Sequence, residues 1–210
     1  MEAIKWEGCT MRVDKVILKA FISTLAAIVL LCAFMFGVLA LAFPSTMMHL
    51  SYDFGRDKSS IRHAERAYRW FDDTSYMAYA MEVAIGSDNQ EKIETCGETV
   101  VADAEFFTEY CVEKQANLPE SVTTRYEDYL YGKIAVAKYE QGKKEEAVNY
   151  AFDSLKGGFP RDNAVVAVYY ASLGDQATVA MIKGKMNDQT SSIAEGDKAY
   201  FDKMLWVMNQ

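Results

Sequence analysis

Residues 20–43 read AFISTLAAIVLLCAFMFGVLALAF, a run of 24 residues without a charged side chain. At about 1.5 Å per residue, an α-helix of this length extends roughly 36 Å, enough to cross the ~30 Å hydrocarbon core of a bilayer with some tilt. The rest of the chain is polar and has the spacing of amphipathic helices. The sequence therefore predicts an all-α protein in which a single transmembrane helix is followed by an α-helical domain.

A cleaved signal peptide is the main alternative for this segment, because Ala40-Leu41-Ala42 resembles a small-residue cleavage site. The apolar part of a signal peptide usually has about 7–15 residues, whereas this one is longer and continues to Phe43 and Pro44. A buried core helix is a third alternative, but a helix that is apolar on all sides fits lipid better. We therefore interpret the segment as an uncleaved anchor.

Basic residues near the span indicate its orientation, since cytoplasmic flanks carry an excess of lysine and arginine. The first basic residue after the span is Arg56, whereas four precede it: Lys5, Arg12, Lys15 and Lys19. This difference favours a cytoplasmic N-terminus and an extracytoplasmic C-terminal domain. We accordingly expect four parts, a short tail (1–19), the span (20–43), a juxtamembrane linker (44–58) and a helical domain (59–210).

The part after the span is acidic. The whole chain carries 22 Lys+Arg and 30 Asp+Glu. With the four basic and three acidic residues of the tail set aside, residues 53–210 keep 18 and 27, a net charge of −9. An acidic surface repels phosphate, so we expect no binding of nucleic acid.

Helical segments alternate with short breaks in this part of the chain. Cap and turn residues predict helices at about 59–71, 76–85, 90–96, 100–114, 121–140, 143–155, 163–173, 176–186 and 195–208. Gly97 is expected to end the third of these, because glycine favours the residue after a helix C-terminus. Two helices joined by a turn such as Gln141-Gly142 form an αα-hairpin, and successive hairpins stack into a solenoid or bundle.

One hairpin, Tyr129 to Pro160, reads YLYGKIAVAKYEQGKKEEAVNYAFDSLKGGFP and resembles a tetratricopeptide repeat. The matching positions are the aromatic Tyr131, Ile134-Ala135 in the place of Leu-Gly, the turn Gln141-Gly142, and the small Ala147 and Ser154. Lys138 departs from the pattern, since the family has a tyrosine there, and Phe152 and Pro160 come one place late. The next segment keeps the first helix of a repeat, with Val166-Ala167 and Tyr170.

The resemblance implies hairpins that enclose a concave groove for other proteins and carry no chemistry of their own. The first helix of each hairpin lines such a groove, which implies partner-binding positions at Tyr129, Val136, Tyr139 and Val168. Apart from Glu140 this face is aromatic and aliphatic, so a hydrophobic partner segment is expected. The implied role is a membrane-anchored scaffold or accessory subunit, with other membrane or membrane-associated proteins as partners. An extracytoplasmic module that binds a peptide or a small ligand is the alternative.

Motifs of catalysis are not found in the sequence. The two histidines, His49 and His63, lack the HExxH spacing, and no Walker-type, G-x-G-x-x-G or G-x-S-x-G segment occurs. We therefore expect no enzymatic activity, no cofactor and no metal. Cys96 and Cys111 are expected to be buried free thiols, because 15 residues along one helix separate them by about 22 Å, beyond the roughly 7 Å limit for a disulfide.

Arg62, Arg66 and Arg69 form a basic stripe at helical spacing on the first helix after the anchor. One interpretation is contact with anionic lipid headgroups or with an acidic partner loop. The alternative is a solvated helix face whose charge is relieved by Asp57, Glu65 and Asp72.

Overall fold

A computed structural model describes residues 15–119, 122, 125–153, 164–189, 202 and 206. Within these ranges every regular element is an α-helix, which confirms the predicted all-α class. The last predicted helix, residues 195–208, lies outside the described residues except for Asp202 and Trp206. The chain forms two compact units, Met1–Pro44 and Ser45–Gln210.

The first unit contains helix α1, Lys15–Ala42. Its segment Ile17–Ala42 has a mean hydropathy of 2.8, and none of the residues in its most apolar stretch is buried inside the protein. A core helix of a soluble protein would be mostly buried, whereas Val29 at the centre of α1 is 59% exposed. Helix α1 is therefore long and apolar enough to cross a membrane.

The second unit, where the structure describes it, is built from α-helices. Their bounds are α2 Pro44–Asp53, α3 Asp57–Phe71, α4 Ser75–Gly86, α5 Gln90–Ala102, α6 Ala104–Ala116, α7 Tyr126–Glu140, α8 Lys144–Asp153, α9 Ala164–Ala171 and α10 Gln176–Gln189. Helix α3 packs on α4, α4 on α5, and α5 on α7. Helix α7 then packs on both α8 and α9, so consecutive hairpins stack side by side.

Helix α2 occupies most of the segment that the sequence predicted as a linker, residues 44–58. It packs into the folded unit, since Met48 is buried and its carbonyl accepts a hydrogen bond of 2.8 Å from the Ser60 hydroxyl of α3. Apolar Met47 and Met48 drive this packing. The folded unit therefore begins directly after α1 rather than at residue 59.

Two apolar clusters stabilise the second unit. The first core lies among α2 to α7 and contains Met48, Ile61, Met81, Val100 and Leu130. The second core lies among α7 to α10 and contains Ala135, Val148, Val165, Ile182 and Met186. Helix α7 contributes to both cores, which makes it the central element of the unit.

Gly97 does not end a helix, contrary to the prediction. Helix α5 continues through it to Ala102, and a Cβ atom at Gly97 would lie 2.6 Å from Cγ1 of Ile134 on α7. The glycine is therefore needed for the close approach of α5 and α7, a tertiary requirement that a C-cap rule does not include. The chain breaks later, at Asp103, whose side chain accepts a hydrogen bond of 3.2 Å from the Phe106 amide and so caps α6.

Candidate functional site

A mostly apolar cavity lies along α7 and has the form of a groove. Its volume is about 660 Å³, within the range of roughly 300–1,000 Å³ that is usual for ligand sites. Its lining is mostly apolar and aromatic and consists of Leu118, Val122, Tyr126, Asp128, Tyr129, Gly132, Lys133, Val136 and Ala167. We call this cavity the α7 groove.

One face of α7 forms the long wall of this groove. Tyr126, Tyr129, Lys133 and Val136 follow the spacing i, i+3, i+7 and i+10, which places them in one row on a helix. Ten residues of rise make this row about 15 Å long. Tyr129 and Val122 are each 38% exposed, so the groove is open to solvent along the row.

Aromatic rings connect the groove to the preceding helix α6. The Tyr126 ring lies 5.8 Å from that of Tyr129 and 5.9 Å from that of Tyr110, between ring centroids. The hydroxyls of Tyr110 and Tyr126 both donate to Oε1 of Glu82 on α4, at 2.5 and 3.5 Å. Burial raises the pKa of Tyr126 to about 12. The ring contacts with Tyr110 and Tyr129 and the hydrogen bond to Glu82 therefore hold the Tyr126 ring in one orientation.

Two charged residues are part of the groove lining. Asp128 is buried, and both of its carboxylate oxygens accept hydrogen bonds from the Arg125 guanidinium, at 2.8 and 3.1 Å. The Lys133 ammonium lies 5.5 Å from the centroid of the Tyr129 ring, a distance typical of a cation–π contact. Asp128 is thus neutralised within the fold, whereas Lys133 stands in the row that faces the groove. The sequence predicted an aromatic and aliphatic face apart from Glu140, and the lining of the α7 groove differs from that prediction by its charged residues Asp128 and Lys133.

The structure separates the four residues that the resemblance implied as one partner-binding set. Tyr129 and Val136 both line the α7 groove. Tyr139 packs against the second core and does not line the groove. Val168 has no exposed surface and belongs to that same core, so it presents no surface to a partner. Partner binding by Tyr129 and Val136 stays a prediction.

Sequence reasoning missed Tyr126, Lys133, Leu118, Val122 and Ala167 as lining residues. The i, i+3, i+7 pattern from Tyr126 is a signal that could have found the residues on α7. The residues from outside α7 have no such signal, because their position depends on how the α6–α7 connection and α9 pack against it.

A buried ionic cluster joins α5 to α7 behind the groove. Glu94 and Lys138 are 3% and 5% exposed, and the Lys138 ammonium lies 2.8 Å from Oε1 of Glu94. Lys143 and Gln141, in the turn after α7, also donate to Glu94, at 2.7 and 2.6 Å. Burial favours the neutral carboxyl, but the hydrogen bonds from Lys138 and Lys143 outweigh it and hold the pKa of Glu94 below its ordinary value. Lys138 therefore forms an ion pair that joins α7 to α5.

The three arginines of the predicted stripe lie on one outward face of α3. Arg62 and Arg69 are exposed and Arg66 is half-buried, while Ile61, Ala64 and Ala67 on the opposite side are buried. The exposed Lys58 extends the same row by one turn. We call these four residues the α3 basic face.

Thiols and acidic clusters of the described residues supply no metal site. Cys96 and Cys111 are separate buried thiols, and burial raises their pKa to about 11 and about 12. No group of three or more His, Cys, Asp or Glu side chains that could hold a metal ion occurs among the described residues.

The chain matches no protein-family model, no curated protein sequence and no solved structure.

Proposed function

We propose that this chain is a membrane-anchored, non-enzymatic scaffold or accessory subunit, and that its α7 groove binds an apolar segment of another membrane protein. The observation that carries this proposal is the groove itself, with an open row of two tyrosines, a lysine and a valine on one face of α7. Tyrosine is enriched among the residues that dominate binding energy at protein interfaces. A row about 15 Å long matches the contact length of roughly ten helical residues in a partner.

The tetratricopeptide resemblance of residues 129–160 supports the same role. Repeats of that family use the first helix of a hairpin to bind other proteins, and α7 is the first helix of the hairpin α7–α8. Small residues at Ala135 and Ala147 are fully buried in the second core, as the close packing of such hairpins requires. The groove chemistry disfavours catalysis, because the Asp128 carboxylate in its lining is bound by Arg125.

A module for a peptide or small ligand is the second candidate. The groove volume of about 660 Å³ would hold a ligand of ordinary size, and Lys133 could bind a ligand carboxylate. The two candidates differ in what contacts Tyr129, a side chain of a membrane protein in the first case and a small molecule in the second.

A photo-crosslinking amino acid at position 129 tests this proposal in the full-length chain in its native membrane. We expect a crosslinked protein, and we expect mass spectrometry to locate the adduct in an apolar segment of an integral membrane protein. The same crosslinker at Tyr170, an exposed tyrosine on α9 that does not line the groove, is the matched control. Equal capture at both positions would contradict the proposal, and an adduct of only a few hundred daltons at position 129 would favour the small-ligand module.

A further inference from the structure

The α3 basic face is a row of four cations on a domain that is otherwise acidic. Lys58, Arg62, Arg66 and Arg69 are spaced by four, four and three residues, so they lie within a sector of about 80° on the helix. The row extends over eleven residues, or about 16 Å. The opposite side of α3 packs into the first core through Ile61 and Ala64, which fixes the basic row toward the outside.

Nearby carboxylates do not neutralise the exposed arginines of this row. Glu65, the acidic residue in the middle of α3, accepts instead from Lys92 of α5 at 2.7 Å. Arg62 donates through Nε to the Lys58 carbonyl at 3.3 Å, which leaves its positive charge without a counter-ion. Among the described residues, neither Arg62 nor Arg69 forms an ion pair.

The pKa of His63 indicates a positive electrostatic potential on this side of α3. Burial lowers its pKa, and the neighbouring charges of Arg66 and Arg62 lower it further. Its Nδ1 atom is buried without a hydrogen-bond partner among the described residues. The histidine therefore stays neutral at physiological pH, and the charge of the face comes from the lysine and the arginines.

A cleft of mixed charge lies at the N-terminal end of the row. It lies between the loops before α3 and α5 and is lined by Arg56, Lys58, Arg62 and Lys92 together with polar residues of the second loop. Its volume is about 1120 Å³. Asp57, Asp88 and Glu91 also line it. Of the cations in the lining, Arg56, Lys58 and Arg62 lie on α3 or directly before it, where the row begins.

The chain between the candidate span and this face is short. Helix α1 ends at Ala42 and α3 begins at Asp57, fifteen residues later. The Ser60 hydroxyl is bonded to the Met48 carbonyl, and Met48 is six residues from Ala42, a contour of at most about 22 Å. Exposed Trp70 (52%) follows Arg69 at the C-terminal end of the row, and tryptophan is enriched at the level of lipid headgroups.

We propose that the α3 basic face binds anionic lipid headgroups of the bilayer in which the chain is anchored. This inference rests on the proposed anchoring by α1 and is independent of what occupies the α7 groove. Basic residues near an anionic surface each favour its binding by roughly fivefold. Four cations in a 16 Å row would therefore hold the acidic domain in one orientation against a membrane that otherwise repels it.

The test uses the full-length chain in lipid nanodiscs, with a fluorophore at Ser59→Cys on the border of the face. Cys9→Ser and Cys32→Ser remove the other reactive thiols, while Cys96 and Cys111 are buried. A spin label on the lipid headgroup quenches the fluorophore at short range. We expect at least twofold stronger quenching when about a third of the lipids are phosphatidylglycerol than in pure phosphatidylcholine, and loss of the increase in 1 M NaCl, where the Debye length is about 3 Å.

Matched variants distinguish the face from the net charge of the domain. Arg62→Glu should remove most of the increase, whereas Lys183→Glu, the same charge change on α10, should leave it intact. A fluorophore at the exposed Thr95 of α5 is the positional control. Quenching that is equal in neutral and anionic discs would overturn the proposal, as would an equal effect of both variants. Unchanged quenching combined with loss of an acidic co-purifying protein in Arg62→Glu would assign the face to a protein partner instead.

Discussion

At the scale of single residues, the ion pair of Glu94 and Lys138 places two charges in the interior of the fold. Removing two charges from water costs several kcal/mol per ion, and the fold offsets this cost with further partners. Lys143 and Gln141 also donate to Glu94, and Lys138 lies 2.5 Å from the Glu98 carboxylate. Because the pair joins α5 to α7, it also specifies which hairpins are neighbours.

Lys138→Met should destabilise the folded unit by about 1–3 kcal/mol, the usual cost of removing one partner of a buried polar group, because the remaining donors keep Glu94 from becoming an unpaired buried charge. Glu94 would remain buried with Lys143 and Gln141 as its donors. Lys183→Met on α10 is the control and should change the free energy of unfolding by less than about 0.5 kcal/mol. Urea denaturation of the detergent-solubilised chain, followed by circular dichroism, measures both. A loss below 1 kcal/mol for Lys138→Met would show that the pair is not buried as described.

The same cluster predicts a dependence of stability on acid pH. The folded-state pKa of Glu94 lies below its ordinary value of 4.5, so the stabilisation is fully present above about pH 4.5 and is lost as the pH falls through the folded-state value. Glu94→Gln should therefore be less stable than the parent chain at pH 7, and the difference should shrink between pH 4.5 and lower values. Denaturation midpoints of both chains over this range give the measurement. A difference that stays constant with pH would contradict the role assigned to the carboxylate.

At the scale of helices, the contact between α5 and α7 depends on one glycine. A Cβ atom at Gly97 would approach Cγ1 and Cδ1 of Ile134 to 2.6 and 2.7 Å, closer than carbon atoms can pack. Gly184 on α10 is the opposite case, since a Cβ there would meet nothing within 4 Å. Both glycines lie in the interior of a helix, Gly97 in α5 and Gly184 in α10. They differ in the atoms that a Cβ would meet.

Gly97→Ala and Gly184→Ala should therefore change stability in opposite directions. Alanine in place of a helical glycine stabilises by roughly 1 kcal/mol, and at Gly184 nothing opposes this gain. At Gly97 the gain is outweighed by overpacking of about 1–3 kcal/mol, for a net loss of about 1 kcal/mol. Melting temperatures of the two variants check the signs, and a stabilised Gly97→Ala would show that α5 and α7 are not in close contact.

Sequence patterns predicted that the helices exist better than they predicted the residues at which each helix begins and ends. The apolar run of α1, the amphipathic α3 and the turn at Gln141-Gly142 were visible, because each depends on local chemistry. The prediction that Gly97 ends a helix was wrong, because the role of this glycine is its close contact with Ile134, 37 residues away in the chain. The groove was predicted only in part for the same reason. Tyr129 and Val136 could be named from the hairpin pattern, whereas Leu118 and Ala167 reach the groove through tertiary packing.

At the scale of the whole molecule, α7 connects the structural and the proposed binding parts of the second unit. One side of it contributes Leu130 and Ala137 to the first core, another contributes Ala135 to the second, and the row from Tyr126 to Val136 faces the groove. A partner in this groove would contact the element on which both cores depend. We therefore expect partner binding to stabilise the whole unit rather than one hairpin.

The orientation of the chain in the membrane is the last prediction. Four basic residues precede the apolar run of residues 20–43, and the first one after it is Arg56, which favours a cytoplasmic N-terminus. Arg56 is exposed and lies in the loop between α2 and α3, and exposed loops are preferred sites of proteolysis. Trypsin added to intact cells or spheroplasts should therefore cut the chain there and leave an N-terminally tagged fragment of residues 1–56, detected by immunoblot. Permeabilised cells are the control, in which the tag itself becomes accessible. Full protection of the chain in intact cells, with cleavage at Arg56 only after permeabilisation, would reverse the orientation and place the α7 groove and the α3 basic face on the cytoplasmic side.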